Sequence, residues 1–353
     1  MRIEADEVRI TAGLIHGCSI GSPISIEIGN SEWSDWEQVM SADAVDPAVL
    51  IGLSHNRSLT KPRPGHGDLA GMQKYDFASS RPILERASAR ETAARVAIGE
   101  VAKLFLRQAV GIEIVSHVVA IGGIHVELAD TVTPQDQATI DADPLRCFDR
   151  VASAKMQDLI ADVTKDGDTV GGVVEILAWN PPPGLGTHTQ ADGRLDGQLA
   201  AGLMSIPAVK AVEIGDGFAL AAVRGSAAHD QMHQQDNRIE RISNRAGGIE
   251  GGISNGETIK VRVAIKPIPT LGRALATVNL ATGQDDVADY QRSDVCAVPA
   301  AGVVAEAMMA LVLANGCLEK FGGDTVDDIR AGLGHYQARL RAAGLEGCWQ
   351  TSY

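Results

Sequence analysis

Gly252-Ile253-Ser254-Asn255-Gly256-Glu257-Thr258-Ile259-Lys260-Val261-Arg262-Val263-Ala264-Ile265 places a glycine-bounded turn before a run in which Ile259, Val261, Val263 and Ile265 alternate with other residues. Successive side chains of a strand point to opposite faces, so the alternation predicts an antiparallel strand with one buried face. Residues 8–29 follow the same plan, and both stretches read as β-hairpins. Val8 and Ile10, a Gly-rich turn from Gly17 to Gly21, and then Ile24, Ile26 and Ile28 read as a β-hairpin. Both stretches share the pattern Gly-x3-Gly-x2-Ile-x-[Ile/Val]-x-[Ile/Val]. An internal duplication would leave such a pattern, and so would any two half-buried antiparallel strands.

Helical signals lie between and after these strands. The spacing predicts a helix from Pro82 to Gln108 with Ser80 as N-cap, and its Ala87, Ala89, Ala93, Ala94, Ala97 and Gly99 permit close neighbours. A second helix is predicted from Pro299 to Asn315, closed by Gly316. It is apolar nearly throughout from Val303 to Leu313, so it must be buried almost all round. Such helices with alternating strands predict a layered α+β architecture, central helices covered by antiparallel sheets. Segments 126–146 and 226–245 read as polar insertions or long loops. No Gly-x-Gly-x-x-Gly follows a strand and no Gly-x4-Gly-Lys-[Ser/Thr] occurs, which removes the main support for Rossmann and P-loop folds.

The chain has 353 residues, a net charge of −14, 38 glycines and only 4% aromatic residues. Its core must therefore be built from aliphatic side chains and closely approaching backbones, and a generic nucleic-acid or anionic-membrane surface is not expected. Cys18, Cys147, Cys296, Cys317 and Cys348 are widely spread, without Cys-x-x-Cys or His/Cys metal spacing. Reduced thiols in a cytoplasm and no metal site are the expectation. The sequence suggests no apolar run approaching the roughly 20 residues that span a bilayer, and the charged start is unlike a signal peptide.

Against this acidic background, residues 57–95 hold the bases Arg57, Lys61, Arg63, Lys74, Arg81, Arg86, Arg90 and Arg95 and the acids Asp68, Asp76, Glu85 and Glu91. On a continuous helix Arg86 and Arg90 would share one face, with Ser88 and Thr92 adding hydroxyls, and could grip phosphate. The same arginines could equally pair with Glu85, Asp68 and Glu91 on a solvated surface. Next to them, Arg63-Pro64-Gly65-His66-Gly67-Asp68 sets a histidine among stiff and permissive backbone residues, a way to present an imidazole, although a lone histidine is more often structural. Asp294, in Arg292-Ser293-Asp294, reads by itself as a cap or surface acid. Lys266-Pro267-Ile268-Pro269-Thr270 suits a strand exit or a ligand grip.

Five ordered stretches together resemble the chorismate synthase family across nearly the whole chain. They are Arg63-Pro64-Gly65-His66 with Lys74-Tyr75; Glu85-Arg86-Ala87-Ser88-Ala89-Arg90-Glu91-Thr92-Ala93; Asn244-Arg245-Ala246-Gly247-Gly248-Ile249-Glu250-Gly251-Gly252; Lys266 to Thr270; and Arg292-Ser293-Asp294 leading to Ala297-Val298-Pro299-Ala300-Ala301-Gly302. The resemblance implies a β-α-β sandwich, with central helices between antiparallel sheets, in a single domain over 1–353 that assembles as a homotetramer. It implies reduced FMN as cofactor, NADPH as well in bifunctional forms, and anti-1,4 elimination of phosphate from 5-enolpyruvylshikimate 3-phosphate to give chorismate. Carried over by motif, His66 would lie by the flavin N1 edge and Asp294 would manage the proton near N5. Arg86, Ala87, Ser88, Pro207, Ala208, Gly251, Lys266, Pro267, Ile268, Pro269, Thr270 and Arg292 match cofactor-contacting positions. Pro207 departs from the family, which usually has a polar residue there, so only backbone contact with the flavin is expected at that position.

Family members begin with a Gly-Glu-Ser-His-Gly motif, whose histidine is thought to protonate the leaving phosphate, and an arginine-rich loop that grips it. Neither is in this sequence, and His16 matches a later His-Gly instead. The family loop ends in Arg-Met-x-Ile-Glu-x-Asp, which aligns Met1 with an internal methionine. The expectation is a start misassigned by about 50 residues and a chain that as written is nearly inactive, because lost electrostatic groups commonly cost about 10² to 10³ each. The alternatives are a truncated paralogue that binds flavin or joins full-length subunits without doing chemistry, and a phosphatase or phosphotransferase using His66.

Overall fold

The computed structural model describes residues 7–127, 131–235 and 238–347. The readings of Met1–Asp6 and Cys348 fall outside the described residues. The chain divides into two compact units, Met1–Ala94 with Pro269–Asp294, and Arg95–Ile268 with Val295–Tyr353.

The larger unit is built around Ile259–Ile265, the strand with which the sequence argument began. Ile259, Val261 and Val263 are fully buried and Ile265 nearly so, while Lys260, Arg262 and Ala264 between them are half-buried. Each buried aliphatic side chain contributes roughly 1.5–3 kcal/mol. The alternation therefore decides which face of the strand meets the core. The Gly252–Gly256 turn does not make this strand one arm of a hairpin, as the sequence suggested. The preceding residues form their own two-residue pair, Ile249–Glu250 with Ile253–Ser254. Ile259–Ile265 instead takes Gly172–Trp179 on one side and Val209–Ile214 on the other, both antiparallel. Adding Glu113–Ile121 and Ile124–His125 beyond Gly172–Trp179 completes a five-stranded antiparallel sheet.

The helix Val298–Phe321 packs against two of these strands and against the helix Leu195–Met204. Small residues make this packing close. A Cβ on Gly99 would come within 2.2 Å of the Ala307 Cβ, and one on Gly302 within 3.0 Å of the Ser116 Oγ. The sequence ended the second helix at Gly316, but the helix runs on to Phe321 and stops where Gly322 takes φ 63°. An interior glycine costs only about 1 kcal/mol relative to alanine, and burial of the helix outweighs that. At Gly322 the left-handed backbone ends the hydrogen-bond ladder. The helix is longer than the sequence reading allowed, 24 residues that include an 18-residue window of mean hydropathy 1.8, enough by length and composition to cross a membrane. In the structure 61% of that window is buried inside the chain, where the helix serves as a core helix. The segments read as polar insertions carry local structure of their own, a turn of helix at Gln137–Asp141 and a hairpin joining Met232–Gln235 to Arg238–Arg241.

In the smaller unit Val8–Ala12 pairs with Ser25–Ile28 as the expected hairpin, with Val8 opposite Ile28 and Ile10 opposite Ile26. All five residues of the first strand are exposed. The helix read from Pro82 to Gln108 is two helices, Arg81–Arg86 and Glu91–Val110. Side chains compete with the backbone at the break: Ser88 Oγ accepts from the Arg90 N–H at 3.3 Å, and Thr92 Oγ1 donates to the Ala89 carbonyl at 2.6 Å. Arg86 and Arg90 therefore do not share a helix face. Ser80 holds the N-cap position as expected, but its side chain makes no capping bond: its hydroxyl donates to the Leu59 carbonyl, and Ser79 Oγ accepts from the Arg81 N–H.

Candidate active site

His66 sits in the loop just before the helix Asp68–Tyr75. Its Nδ1 lies 2.6 Å from Asp68 Oδ1, and Asp68 is 1% exposed. The Arg63 guanidinium closes on the same carboxylate through Nε (2.8 Å) and Nη2 (3.1 Å), and the Arg63 backbone N–H adds a bond at 3.0 Å. Burial by itself would raise the Asp68 carboxyl, but the hydrogen bonds from His66 and Arg63 outweigh it and hold the group well below the usual carboxylate range. Arg63 Nη1 also donates to Thr270 Oγ1 at 3.1 Å, and the Thr270 carbonyl accepts from Ser293 Oγ at 2.9 Å. The structure thus joins the His66 loop, the end of the Lys266–Thr270 strip and the residue next to Asp294 through one line of hydrogen bonds. Asp294 itself is half-buried.

Other carried-over positions in this unit are more open. Arg86, the last residue of its helix, is 81% exposed and only 3.8 Å from Glu91, so its guanidinium is loosely held and available to an anion. Ala87 is exposed beside it. Ser88 Oγ, already an acceptor from Arg90, keeps its own proton to donate. Arg90 spends a donor on the Gly29 carbonyl at 2.5 Å, and Arg292 pairs with Glu32 at 2.8 Å. Much of the positive stretch is neutralised locally: Arg57 meets Asp289, Lys61 meets Asp286 and Arg81 meets Glu85. A recess of about 10 Å³, room for roughly one water, lies beside Arg63, Pro269 and Thr270. It is far smaller than a ligand pocket, so it is not by itself a seat for a tricyclic ring.

In the larger unit, Pro207 is exposed and Ala208 takes φ 69°, and the Ala208 carbonyl accepts from the Lys266 N–H at 3.0 Å. That bond brings two carried-over stretches together. Pro267 is exposed, and the Ile268 carbonyl accepts from Thr169 Oγ1 at 2.7 Å. Within Asn244–Gly252 the glycines divide in two. Side chains at Gly247, Gly248 and Gly252 would strike backbone or Arg194 within about 2.3–2.8 Å, whereas one at Gly251 would meet nothing within 4 Å. Gly251 is exposed, with φ +60°. Asp230 anchors this loop, accepting from Ser243 Oγ and from the Arg245 and Ala246 N–H groups at 2.5–3.0 Å.

The sequence reading gave Arg63 no role and named Asp68 only as a possible surface partner of the arginines. The available signal was an acid two residues beyond the histidine, at a loop-to-helix junction. It missed Glu306 entirely. This carboxylate, 3% exposed on the core helix, meets Lys103 (3.1 Å), Arg146 (2.8 Å) and Ser116 Oγ (2.7 Å). Burial would lower Lys103, but Glu306 outweighs it and holds the ammonium above its usual value. A single acid within an apolar helix, paired at sequence separations of 203 and 160, leaves no local pattern.

A family model described as chorismate synthase matches residues 1–318. A chorismate synthase from Thermobifida fusca is 58% identical over 337 residues, 95% of this chain and 86% of its own. One from Beutenbergia cavernae is 58% identical over 338 residues, covering 95% and 85%. A crystal structure of chorismate synthase superposes with a TM-score of 0.74 at 38% identity, across 96% of this chain and 85% of that one.

Proposed function

This chain belongs to the chorismate synthase family and is a lyase, and we propose that it eliminates phosphate from 5-enolpyruvylshikimate 3-phosphate to give chorismate, with reduced FMN bound and no net redox change. The observation that carries this reading is the unbroken family match over 1–318 together with 58% identity to relatives of that activity. We take both compact units as parts of one family domain for the same reason.

The chemical difficulty is a hydrogen on a weakly acidic carbon, which an ordinary base removes slowly. Reduced FMN, when bound, would supply electron density as the allylic C–O bond weakens. The protein's part is orientation and proton management. The loosely held Arg86 guanidinium and the Ser88 hydroxyl suit the nucleotide phosphate. Backbone at Ala87, Pro207, Ala208 and Gly251, and the strip Lys266, Pro267, Ile268, Pro269 and Thr270, would hold the cofactor with Arg292. The His66 imidazole would sit at the flavin N1 edge, and the Asp294 carboxylate would accept and return the proton near N5. A cytoplasmic homotetramer, with NADPH serving only a bifunctional form, completes the proposal. The net charge of −14 argues against a nucleic-acid or anionic-membrane partner.

An anaerobic assay of chorismate and phosphate release, with and without reduced FMN, tests the reading. Release of both products only with reduced FMN is expected. Phosphate released equally without flavin would instead make the chain a phosphatase.

A further inference from the structure

We infer that Asp68 is a positioning residue for His66, fixing the imidazole with its proton on Nδ1 and leaving Nε2 as the nitrogen offered to a ligand, and that Arg63 locks the carboxylate in that role. The inference rests on the reading that His66 serves the reaction.

The argument is one of donors and acceptors. An ionised carboxylate accepts and cannot donate, and a guanidinium donates and cannot accept. His66 Nδ1 lies 2.6 Å from Asp68 Oδ1 and 3.0 Å from Arg63 Nη2. It cannot both donate to the first and accept from the second. Arg63 Nη2 has another acceptor, Asp68 Oδ1 at 3.1 Å, whereas a lone pair on Nδ1 would face carboxylate lone pairs at 2.6 Å. The proton therefore belongs on Nδ1. Three bonds from Arg63 keep the carboxylate ionised and stationary, in a site where Arg63 is 9% and Asp68 1% exposed. Satisfied buried networks of this kind are rigid, because every alternative arrangement strands a charge. The same guanidinium reaches Thr270 Oγ1, so the brace that orients the imidazole also ties down the backbone carbonyl held by Ser293, the neighbour of Asp294. An acid that holds a catalytic histidine in one tautomer can be worth several orders of magnitude in turnover where the wrong tautomer is inactive.

The test uses the full chain and the Asp68→Asn variant. Proton-detected ¹⁵N spectra of the His66 ring, recorded at about pH 9 where histidine is neutral and assigned with His66→Gln, report the tautomer without any turnover. Nδ1–H is expected in the wild type, and Nε2–H in Asp68→Asn, because the new amide can donate to Nδ1. Turnover of the variant should fall by about 10²-fold or more, with KM and flavin retention changed less than about threefold. A merely structural role would lower flavin retention and Tm without reversing the tautomer, and that result would overturn the inference. If Asp68→Asn does not fold, an Nε2–H ring in the wild type suffices to refute it. Failure of the underlying reading is separable: His66→Gln retaining full turnover would remove His66 from the reaction, whichever tautomer it holds.

Discussion

The strand Ile259–Ile265 of the larger unit and the segment Ile24 to Ile28 of the smaller one carry the same glycine-and-aliphatic pattern, yet their surroundings differ. In the first, Ile259, Val261 and Val263 are fully buried between two partner strands beneath a core helix. In the second, the matching Ile24, Ile26 and Ile28 are only half-buried, and on the paired strand Val8 is 55% and Ile10 50% exposed. Alternation fixes that a strand forms and which side chains share a face, but what covers that face is decided elsewhere in the chain. The units differ in their buried acids as well. Glu306 is enclosed with two permanent cations inside the larger unit, whereas Asp68 in the smaller one divides its oxygens between a guanidinium and an imidazole that can change its own charge.

If the larger unit carries the stability, its enclosed acid should be the most costly side chain to remove. Glu306→Ala should destabilise by about 3 kcal/mol, the low end of the range for breaking a buried pair, because Lys103 and Arg146 lose their enclosed carboxylate and keep only the more exposed Glu100 and Asp141. A denaturant midpoint within 1 kcal/mol of wild type, on the order of experimental error, would break the contrast. Next comes the acid response of the smaller unit. The Asp68 value is depressed in the folded state, so its contribution is fully present above the ordinary value of 3.8 and is lost as pH falls through the lower folded value. Comparing Asp68→Asn with wild type from neutral pH down to about pH 3 should show a difference on the order of 2 kcal/mol at neutrality that shrinks below about pH 4. A gap that stays constant with pH would mean that Asp68 titrates alike folded and unfolded. Ile259→Val should cost about 0.5–1.5 kcal/mol, the range for deleting one buried methylene. On the exposed strand of the hairpin, Ile10→Val should stay within about 0.5 kcal/mol, as exposed substitutions do. A larger loss at Ile10 would show that another chain covers the hairpin in solution.

Much of the candidate site could be proposed from the sequence because its residues lie in short, ordered motifs, and loop chemistry around His66 is visible within six residues. The helix break between Arg86 and Glu91 was not legible, since an alanine-rich stretch satisfies helix propensity wherever Ser88 and Thr92 do not divert the backbone. Asp68 was named only as a possible surface partner of the arginines, because the same acid at a helix start reads equally well as an ordinary surface charge.

The residue order alone determined the strand Ile259–Ile265 and its inward face, the first hairpin, the apolar helix and the motifs that identify the family, because each depends on neighbours within one strand or a few helical turns. The tertiary structure alone decided that Ile259–Ile265 is a central strand and the first hairpin an exposed one. It also decided that Glu306 and Asp68 hold charges brought from 160 or 203 residues away in one case and from two to five in the other. Burial and pairing of charge are properties of what surrounds a residue, and for most of these residues the surroundings arrive only when distant segments pack together.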